Sequence, residues 1–309
     1  MLKDLLMTQP MAEPCVKKLE ETFIVHRLFD TNDKEGLISE FGSRVRAIAG
    51  GRVSASLIQK LPKLEIIAVQ GVGYESVDTA MAKSRNIRVT NTPNVLNDAV
   101  AEMTIGLMIA LARHIPQADK FVRAGHWANG NFSLRSELNG KTLGIFGLGR
   151  IGREIANRAQ AMKMRVVYCG RNAKQNEALE YYKSIVDMAH AVDWLVLIAP
   201  GGQETNNIVS REVMAALGPD GMLVNMSRGS LVDQDAMVEM LKSGELGGAA
   251  LDVYNNEPNV SEAVIALENV VLSPHQGSKT KQTRISMGDL VVANLRAHFS
   301  GESLISPVV

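Results

Sequence analysis

Short apolar runs alternate with longer amphipathic stretches along most of this chain. Residues 23–25, 45–48 and 64–69 read as strands, the second ending at Gly50-Gly51 and the third at Gly71-Val72-Gly73. Between them, residues 54–61 read as a helix with Ser54 as its cap and Pro62 just past its end. A longer helix is expected over residues 100–115, with Asp98 as cap and Pro116 marking its stop, followed by a loop rich in Gly, Asn and Trp at 125–130. From Lys141 the alternation resumes, with strands at 142–146, 164–168, 194–198, 222–226, 248–253 and 270–272, and a last amphipathic helix over about 281–299. Strands separated by helices argue for the α/β class, with parallel sheets covered on both faces. Six strands in the second series suit a doubly wound sheet. No internal repeat or low-complexity tract interrupts the pattern.

Composition narrows the class. The 309 residues suffice for one large domain or two ordinary ones. Hydrophobic residues at 46% and charged residues at 21% are ordinary for a soluble globular protein. Lys+Arg and Asp+Glu both total 33, so neither a nucleic-acid footprint nor a polybasic membrane patch is expected. Cys15 and Cys169 stand far apart, which argues against a disulfide framework and against a metal site. The opening Met1-Leu2-Lys3-Asp4 lacks a signal-peptide pattern, and the greasiest stretch, 103–112, is too short to span a bilayer. A cytoplasmic protein is the expectation.

The strongest local motif is Gly147-Leu148-Gly149-Arg150-Ile151-Gly152, which follows an apolar strand and opens a helix toward Met162. In a dinucleotide site the first glycine makes the tight turn and the second admits the pyrophosphate. The third lets the helix pack on the strand, and the helix N-terminus receives the negative charge. A lone motif of this kind also occurs in ordinary tight turns; here the preceding strand, the helix and the next strand all fall in place. An NAD site normally carries an acid about 20 residues further on, for the ribose hydroxyls. This chain instead reads Tyr168-Cys169-Gly170-Arg171-Asn172-Ala173-Lys174. A guanidinium clasps a 2′-phosphate that an acid would repel, so Arg171, with Asn172 and Lys174, points to NADP(H) rather than to a solvated basic turn.

Four segments stand at the ends of predicted strands, where ligands of such sheets gather: Asn225-Met226-Ser227-Arg228-Gly229, Ala250-Leu251-Asp252-Val253-Tyr254, Asn256-Glu257-Pro258 and Ser273-Pro274-His275-Gln276-Gly277-Ser278. Reducing a keto acid needs a cation for the carboxylate and carbonyl, an acid for the new alkoxide, and a group that tunes that acid. Arg228 suits the first need by its planar fork, and His275 the second by its range of titration. Glu257 suits the third, since a carboxylate beside imidazole favours the imidazolium. Each alone also reads as a surface charge, a turn opening or a satisfied imidazole; beside a dinucleotide fold the set reads as catalytic.

With these segments, Gly71–Asp78 (Gly-Val-Gly-Tyr-Glu-Ser-Val-Asp) and Asn91–Glu102 (Asn-Thr-Pro-Asn-Val-Leu-Asn-Asp-Ala-Val-Ala-Glu), the chain resembles the D-isomer-specific 2-hydroxyacid dehydrogenases over nearly its whole length. Within them it is most similar to the glyoxylate/hydroxypyruvate and hydroxyphenylpyruvate reductases, a branch that commonly prefers NADPH. The resemblance implies a doubly wound Rossmann cofactor domain over about residues 95–278. It implies a flavodoxin-like substrate (lid) domain from residues 1–94, completed by a C-terminal helix and tail over 279–309. Arg228, Glu257 and His275 would be the catalytic trio, with the amides of Val72 and Gly73 gripping the substrate carboxylate. NADPH would lie against Gly147, Gly149, Arg150, Ile151, Gly152 and Gly170, with Arg171 and Asn172 at its phosphate. Thr205, Met226, Ser227, Asp252 and Gly277 would complete its contacts, Asp252 and Gly277 orienting the nicotinamide. The resemblance further implies a homodimer, toward whose partner the Trp127 loop would reach unless it only packs in the interface.

Two departures stand out. Gly201-Gly202 occupies a place where the family more often shows Leu and Thr, and Gln276 follows His275 where an aliphatic residue is commoner. The chain ends at Val309, where relatives that make serine precursors carry a regulatory domain. Other readings are a 2-ketogluconate or hydroxyphenylpyruvate reductase, and a dinucleotide-sensing interaction protein on the same fold. Formate-type oxidation is disfavoured, because that branch lacks the glutamate that Glu257 supplies here.

Overall fold

The computed structural model describes residues 2–309, which form two compact units. One comprises the chain up to Leu96 together with Ser278–Val309; the other is Asn97–Gly277. In the first unit, β1 (Lys3–Met7), α1 (Glu13–Glu20), β2 (Phe23–Arg27), α2 (Lys34–Phe41) and β3 (Val45–Gly50) follow one another. Next come α3 (Ala55–Gln59), β4 (Ile66–Val69), α4 (Thr79–Ser84) and β5 (Arg88–Thr90). The strands pair in parallel in the order β2-β1-β3-β4-β5, the flavodoxin-like arrangement. Ser54 caps α3 as its position predicts, its Oγ accepting from Leu57 N–H at 3.3 Å. β1 escaped the pattern reading because it opens on Lys3-Asp4; Asp4 is buried there, 2.7 Å from His26 Nε2 on the paired strand.

The second unit begins with α5 (Asn97–Arg113) and α6 (Ile115–Arg123). Pro116 does not end the long helix. His114, at φ +48°, breaks the chain between the two, and Pro116 lies in the first turn of α6, where a missing N–H loses no bond. Asp98 is not a cap either: it sits within the first turn of α5, and its carboxylate accepts from Arg158 at 2.6 Å. The sheet elements follow: β6 (Thr142–Phe146), α7 (Arg150–Ala161), β7 (Arg165–Cys169), β8 (Glu180–Tyr182), α8 (Ile185–His190), β9 (Trp194–Leu197) and α9 (Arg211–Leu217). The unit closes with β10 (Met222–Asn225), α10 (Gln234–Ser243), β11 (Gly248–Leu251), α11 (Glu262–Ile265) and β12 (Val270–Leu272). All seven strands run parallel in the order β12-β11-β10-β9-β6-β7-β8. This is the doubly wound Rossmann order with one strand added, and the direction of winding reverses between β6 and β9. The central strands β9 and β11 are buried throughout, as strands covered on both faces must be. β8 is a three-residue edge strand, too short and too polar to show in the pattern.

The chain then returns to the first unit as α12 (Lys281–Ser300). Val291, Val292 and Leu295 of α12 pack with Leu5, Met7, Ala47, Ala49, Ile66 and Ala68, while Leu6, Ile48 and Ile67 face the opposite layer. That alternation of neighbours along each strand is the two-residue period of the pleat. Cys15 and Cys169 are buried free thiols, and burial pushes both up to about 11. No single helix among the described residues is long and apolar enough to cross a membrane, and no cluster of their His, Cys, Asp and Glu side chains could hold a metal ion.

Candidate active site

The glycine loop separates into two steric requirements and one opening. Gly147 leaves β6 at φ +106°, and a Cβ there would fall 2.9 Å from the backbone of Ile198 and Ala199. A Cβ on Gly152 would fall 2.4 Å from Gly147 O, so only glycine lets α7 pack this closely on the strand. Gly149, the residue before α7, faces open space: nothing lies within 4 Å of where its Cβ would be, and no side chain caps the helix. The first amides of α7 thus have no capping side chain, at the position where the fold receives a pyrophosphate. The residues present fit a dinucleotide. At the end of β7, Gly170 also has open space around its Cβ position, and Arg171 and Asn172 are exposed. No ion pair occupies the Arg171 guanidinium among the described residues. Of the acids nearby, Glu177 is engaged by Arg153 at 2.5 Å and Glu180 by Arg165, so no carboxylate competes for a phosphate at Arg171.

From this loop, contacts run along the carboxyl edge of the sheet. Ala199, beside Gly147, accepts a hydrogen bond from Ser227 Oγ. Asn225 orders the segment after β10: its Oδ1 accepts from Ser227 N–H at 3.0 Å, and its Nδ2 donates to Arg228 O at 2.9 Å. Arg228 is half-buried, with Nη1 donating to Ser227 O at 2.7 Å. Its stem crosses Gly201, where a Cβ would lie 3.0 Å from Arg228 Cγ. Gly202 takes φ +152°. The unusual glycine pair thus has a local reason: Gly201 gives the arginine room, and Gly202 turns the chain. Gly229 abuts the next strand end, since a Cβ there would fall 2.1 Å from Tyr254 C. Thr205, in the same loop as the glycine pair, donates its hydroxyl to Pro200 O at 2.9 Å.

Glu257 and His275 meet. His275 Nδ1 lies 2.7 Å from Glu257 Oε2, and the other oxygen, Oε1, accepts from Tyr254 N–H at 3.1 Å. The carboxylate is thereby aimed by one oxygen and holds the imidazole with the other. With Nδ1 occupied, Nε2 is the nitrogen that can hand a proton to a ligand, and the imidazole is half exposed. His275 itself is left-handed at φ +49°, and the turn that keeps it so is organised by Asp252. That carboxylate is buried and accepts from Ser273 Oγ at 2.5 Å, Gln276 N–H at 2.8 Å and Gly277 N–H at 2.9 Å. Gly277 sits tightly between Asp252 and Met226, each 3.2 Å from where its Cβ would be.

Sequence reasoning missed Tyr254, Asn225 and Ser273 as builders of this edge. Tyr254 Oη accepts from Ser273 N–H at 3.1 Å and lies 3.0 Å from Ser273 O, clamping the ends of β11 and β12 together. Burial raises its pKa, so the phenol remains a neutral clamp. All three residues lie in strand-end segments already singled out; their place at the end of a buried strand was the available signal.

Comparison with known proteins agrees with this geometry. Residues 105–277 match the family model described as D-isomer specific 2-hydroxyacid dehydrogenase, NAD binding domain. The glyoxylate/hydroxypyruvate reductase A HPR2 of Arabidopsis thaliana is 45% identical over 307 residues, covering 98% of each chain. The hydroxyphenylpyruvate reductase of Plectranthus scutellarioides is 44% identical, again over 98% of each. Among solved structures, an NADPH-dependent glyoxylate/hydroxypyruvate reductase from Sinorhizobium meliloti, in complex with NADP and malonate, superposes with a TM-score of 0.93 at 39% identity, covering 100% of this chain and 97% of that one.

Proposed function

This chain belongs to the D-isomer specific 2-hydroxyacid dehydrogenase family of oxidoreductases, and on that premise we propose that it is an NADPH-dependent 2-keto acid reductase of the glyoxylate/hydroxypyruvate type. Bound NADPH supplies the hydride that turns C2 of the keto acid into the carbinol carbon of a D-2-hydroxy acid. Arg228 holds the substrate carboxylate and polarises the carbonyl oxygen, where negative charge develops. His275 gives its Nε2 proton to that oxygen, and solvent reprotonates the imidazole. Glu257 keeps the imidazolium favourable and the ring oriented. The amides of Val72 and Gly73, in the turn after β4, supply hydrogen bonds to a carboxylate. The observation that carries the reading is the 2.7 Å contact of His275 Nδ1 with Glu257, on the same sheet edge as the open Gly149 cradle.

The choice of NADPH rests on Arg171, exposed and without a competing acid at the end of β7. A guanidinium–phosphate pair contributes about 1.5–3 kcal/mol per charge-assisted hydrogen bond. Arg171→Asp is therefore expected to raise the KM for NADPH by about 100-fold while rates with NADH change little. Initial-rate kinetics with both cofactors check this, and an unchanged KM for NADPH would mean that the 2′-phosphate is not read at Arg171. Glyoxylate, hydroxypyruvate, a 2-keto sugar acid and an aryl pyruvate share the head that Arg228 reads. The similarity to a hydroxyphenylpyruvate reductase keeps the aryl pyruvates as the second substrate class.

The same reading includes a homodimer in the cytoplasm. Supporting the dimer, Ile115, Val122, Trp127 and Leu134 are large exposed hydrophobics within one short stretch of the second unit, Leu134 being 98% exposed. Large apolar side chains exposed along one stretch of chain fit a subunit interface.

A further inference from the structure

One edge of the first unit's sheet gathers hydrogen-bond donors that lack acceptors. Beyond β4, two carbonyls of the Gly71-Val72-Gly73 turn are taken: Thr92 N–H donates to Gly71 O at 2.9 Å, and Asn91 Nδ2 to Val72 O at 2.8 Å. The amides of the three turn residues have no acceptor among the described residues. Gln70, only 5% exposed, gives its Oε1 to Gln9 Nε2 at 3.3 Å and leaves its own Nε2 without a partner among those residues.

Arg284 joins this edge from α12, which packs against β4. The far end of α12 lies where the strands begin. His298 Nε2 is 3.4 Å from Glu65 Oε2, just before β4, and the Phe299 ring is 5.6 Å from that of Phe23, the first residue of β2. Its near end lies where α1 starts, past the carboxyl end of β1. There the Cys15 thiol donates to Ile285 O at 3.4 Å, and a Cβ on Gly288 would fall 2.5 Å from the same sulfur. The helix thus runs against the strands, and its rise of about 1.5 Å per residue carries Arg284 to their carboxyl edge. Arg284 is half-buried, and its guanidinium makes no hydrogen bond or ion pair among the described residues. Burial pushes its guanidinium below the ordinary range, and no carboxylate opposes that.

We infer that Arg284 is a further anion-binding residue, a second cation that, with the turn amides, holds the carboxylate of the 2-keto acid; the inference rests on the reading proposed above. A desolvated cation without a counter-charge is stabilised by an arriving anion. Successive free amides make a concavity suited to one, and the guanidinium fork matches a carboxylate. Gln70 adds a buried donor at the same edge.

Oxalate, a carboxylate probe that is not reduced, would be titrated calorimetrically into the NADP+-loaded wild type, Arg284→Gln and Arg284→Lys, alongside KM values for glyoxylate and NADPH. Loss of the guanidinium is expected to weaken oxalate and raise the KM for glyoxylate by about 10-fold or more, leaving the KM for NADPH within about two-fold, with partial recovery in Arg284→Lys. Wild-type oxalate affinity in Arg284→Gln, or a KM for NADPH that rises in step, would overturn the inference. If Arg284→Gln does not fold, Arg284→Lys decides alone. It keeps the charge and loses the fork, so weaker oxalate binding is required and an unchanged affinity overturns the proposal. A wild type that reduces keto acids while Arg284→Gln binds them normally leaves the proposed function intact; a wild type without turnover fails that function, while oxalate still tests Arg284.

Discussion

His275→Ala is expected to lower kcat for glyoxylate by about 10²–10⁴-fold, the range in which a positioned general acid acts. The expectation follows from where the imidazole is held. Nδ1 is committed to Glu257 at 2.7 Å, and Glu257 is itself aimed by the Tyr254 amide, so Nε2 is fixed in direction before any substrate arrives. The turn that carries His275 hangs on three hydrogen bonds to Asp252, none of which uses the His275 side chain. Truncating the ring therefore removes the proton donor and leaves the turn standing. NADPH affinity should stay within about two-fold of wild type, which separates lost chemistry from lost folding. Stopped-flow and steady-state kinetics would measure both; near-wild-type turnover would sink the assignment of the acid.

Arg228→Ala should damage binding and rate together. The guanidinium is asked to hold the ground-state carboxylate and to meet the charge that develops on the carbonyl oxygen. Losing charge-assisted bonds of about 1.5–3 kcal/mol each should raise the keto-acid KM by at least about 10-fold. Losing the donor at the developing alkoxide should lower kcat by about 10²–10³-fold. Asn225 holds the Arg228 carbonyl and Gly229 packs on Tyr254, so the backbone of this segment is fixed independently of the guanidinium. Arg228→Lys should recover only part of the loss, because a point charge does not reproduce the fork. Steady-state kinetics of the two variants check this; a change confined to kcat, with KM untouched, would remove Arg228 from carboxylate binding.

Much of this molecule was legible in its sequence. Buried parallel strands are continuous apolar runs, so residues 142–146, 194–198 and 222–226 announced themselves, and β6, β9 and β10 form there. The elements that escaped were edge or polar ones. Lys3-Asp4 opens β1 with charge that only the His26 partner across the strand pair explains, and β8 is a short Glu-Tyr-Tyr edge. Pro116 read as a stop because a proline ends a helix and also suits the first turn of the next; sequence alone does not tell the two apart. At the site, residue types and strand-end positions singled out His275, Glu257 and Arg228, but not the 2.7 Å contact between His275 and Glu257 or the bonds that hold each segment. The residue types did not show that the Asp252 carboxylate holds the turn after His275. The Gly201-Gly202 pair read as a departure without a cause, because the Arg228 stem that needs the space lies some two dozen residues further along the chain and meets it only in the fold.

The most direct test of the central claim is the initial rate of NADPH and NADH oxidation by the wild-type protein with glyoxylate and with hydroxypyruvate. The account predicts rapid oxidation of NADPH with at least one of these acids, a D-2-hydroxy acid as product, and much slower oxidation of NADH. No oxidation of either cofactor across these substrates and an aryl pyruvate would contradict it.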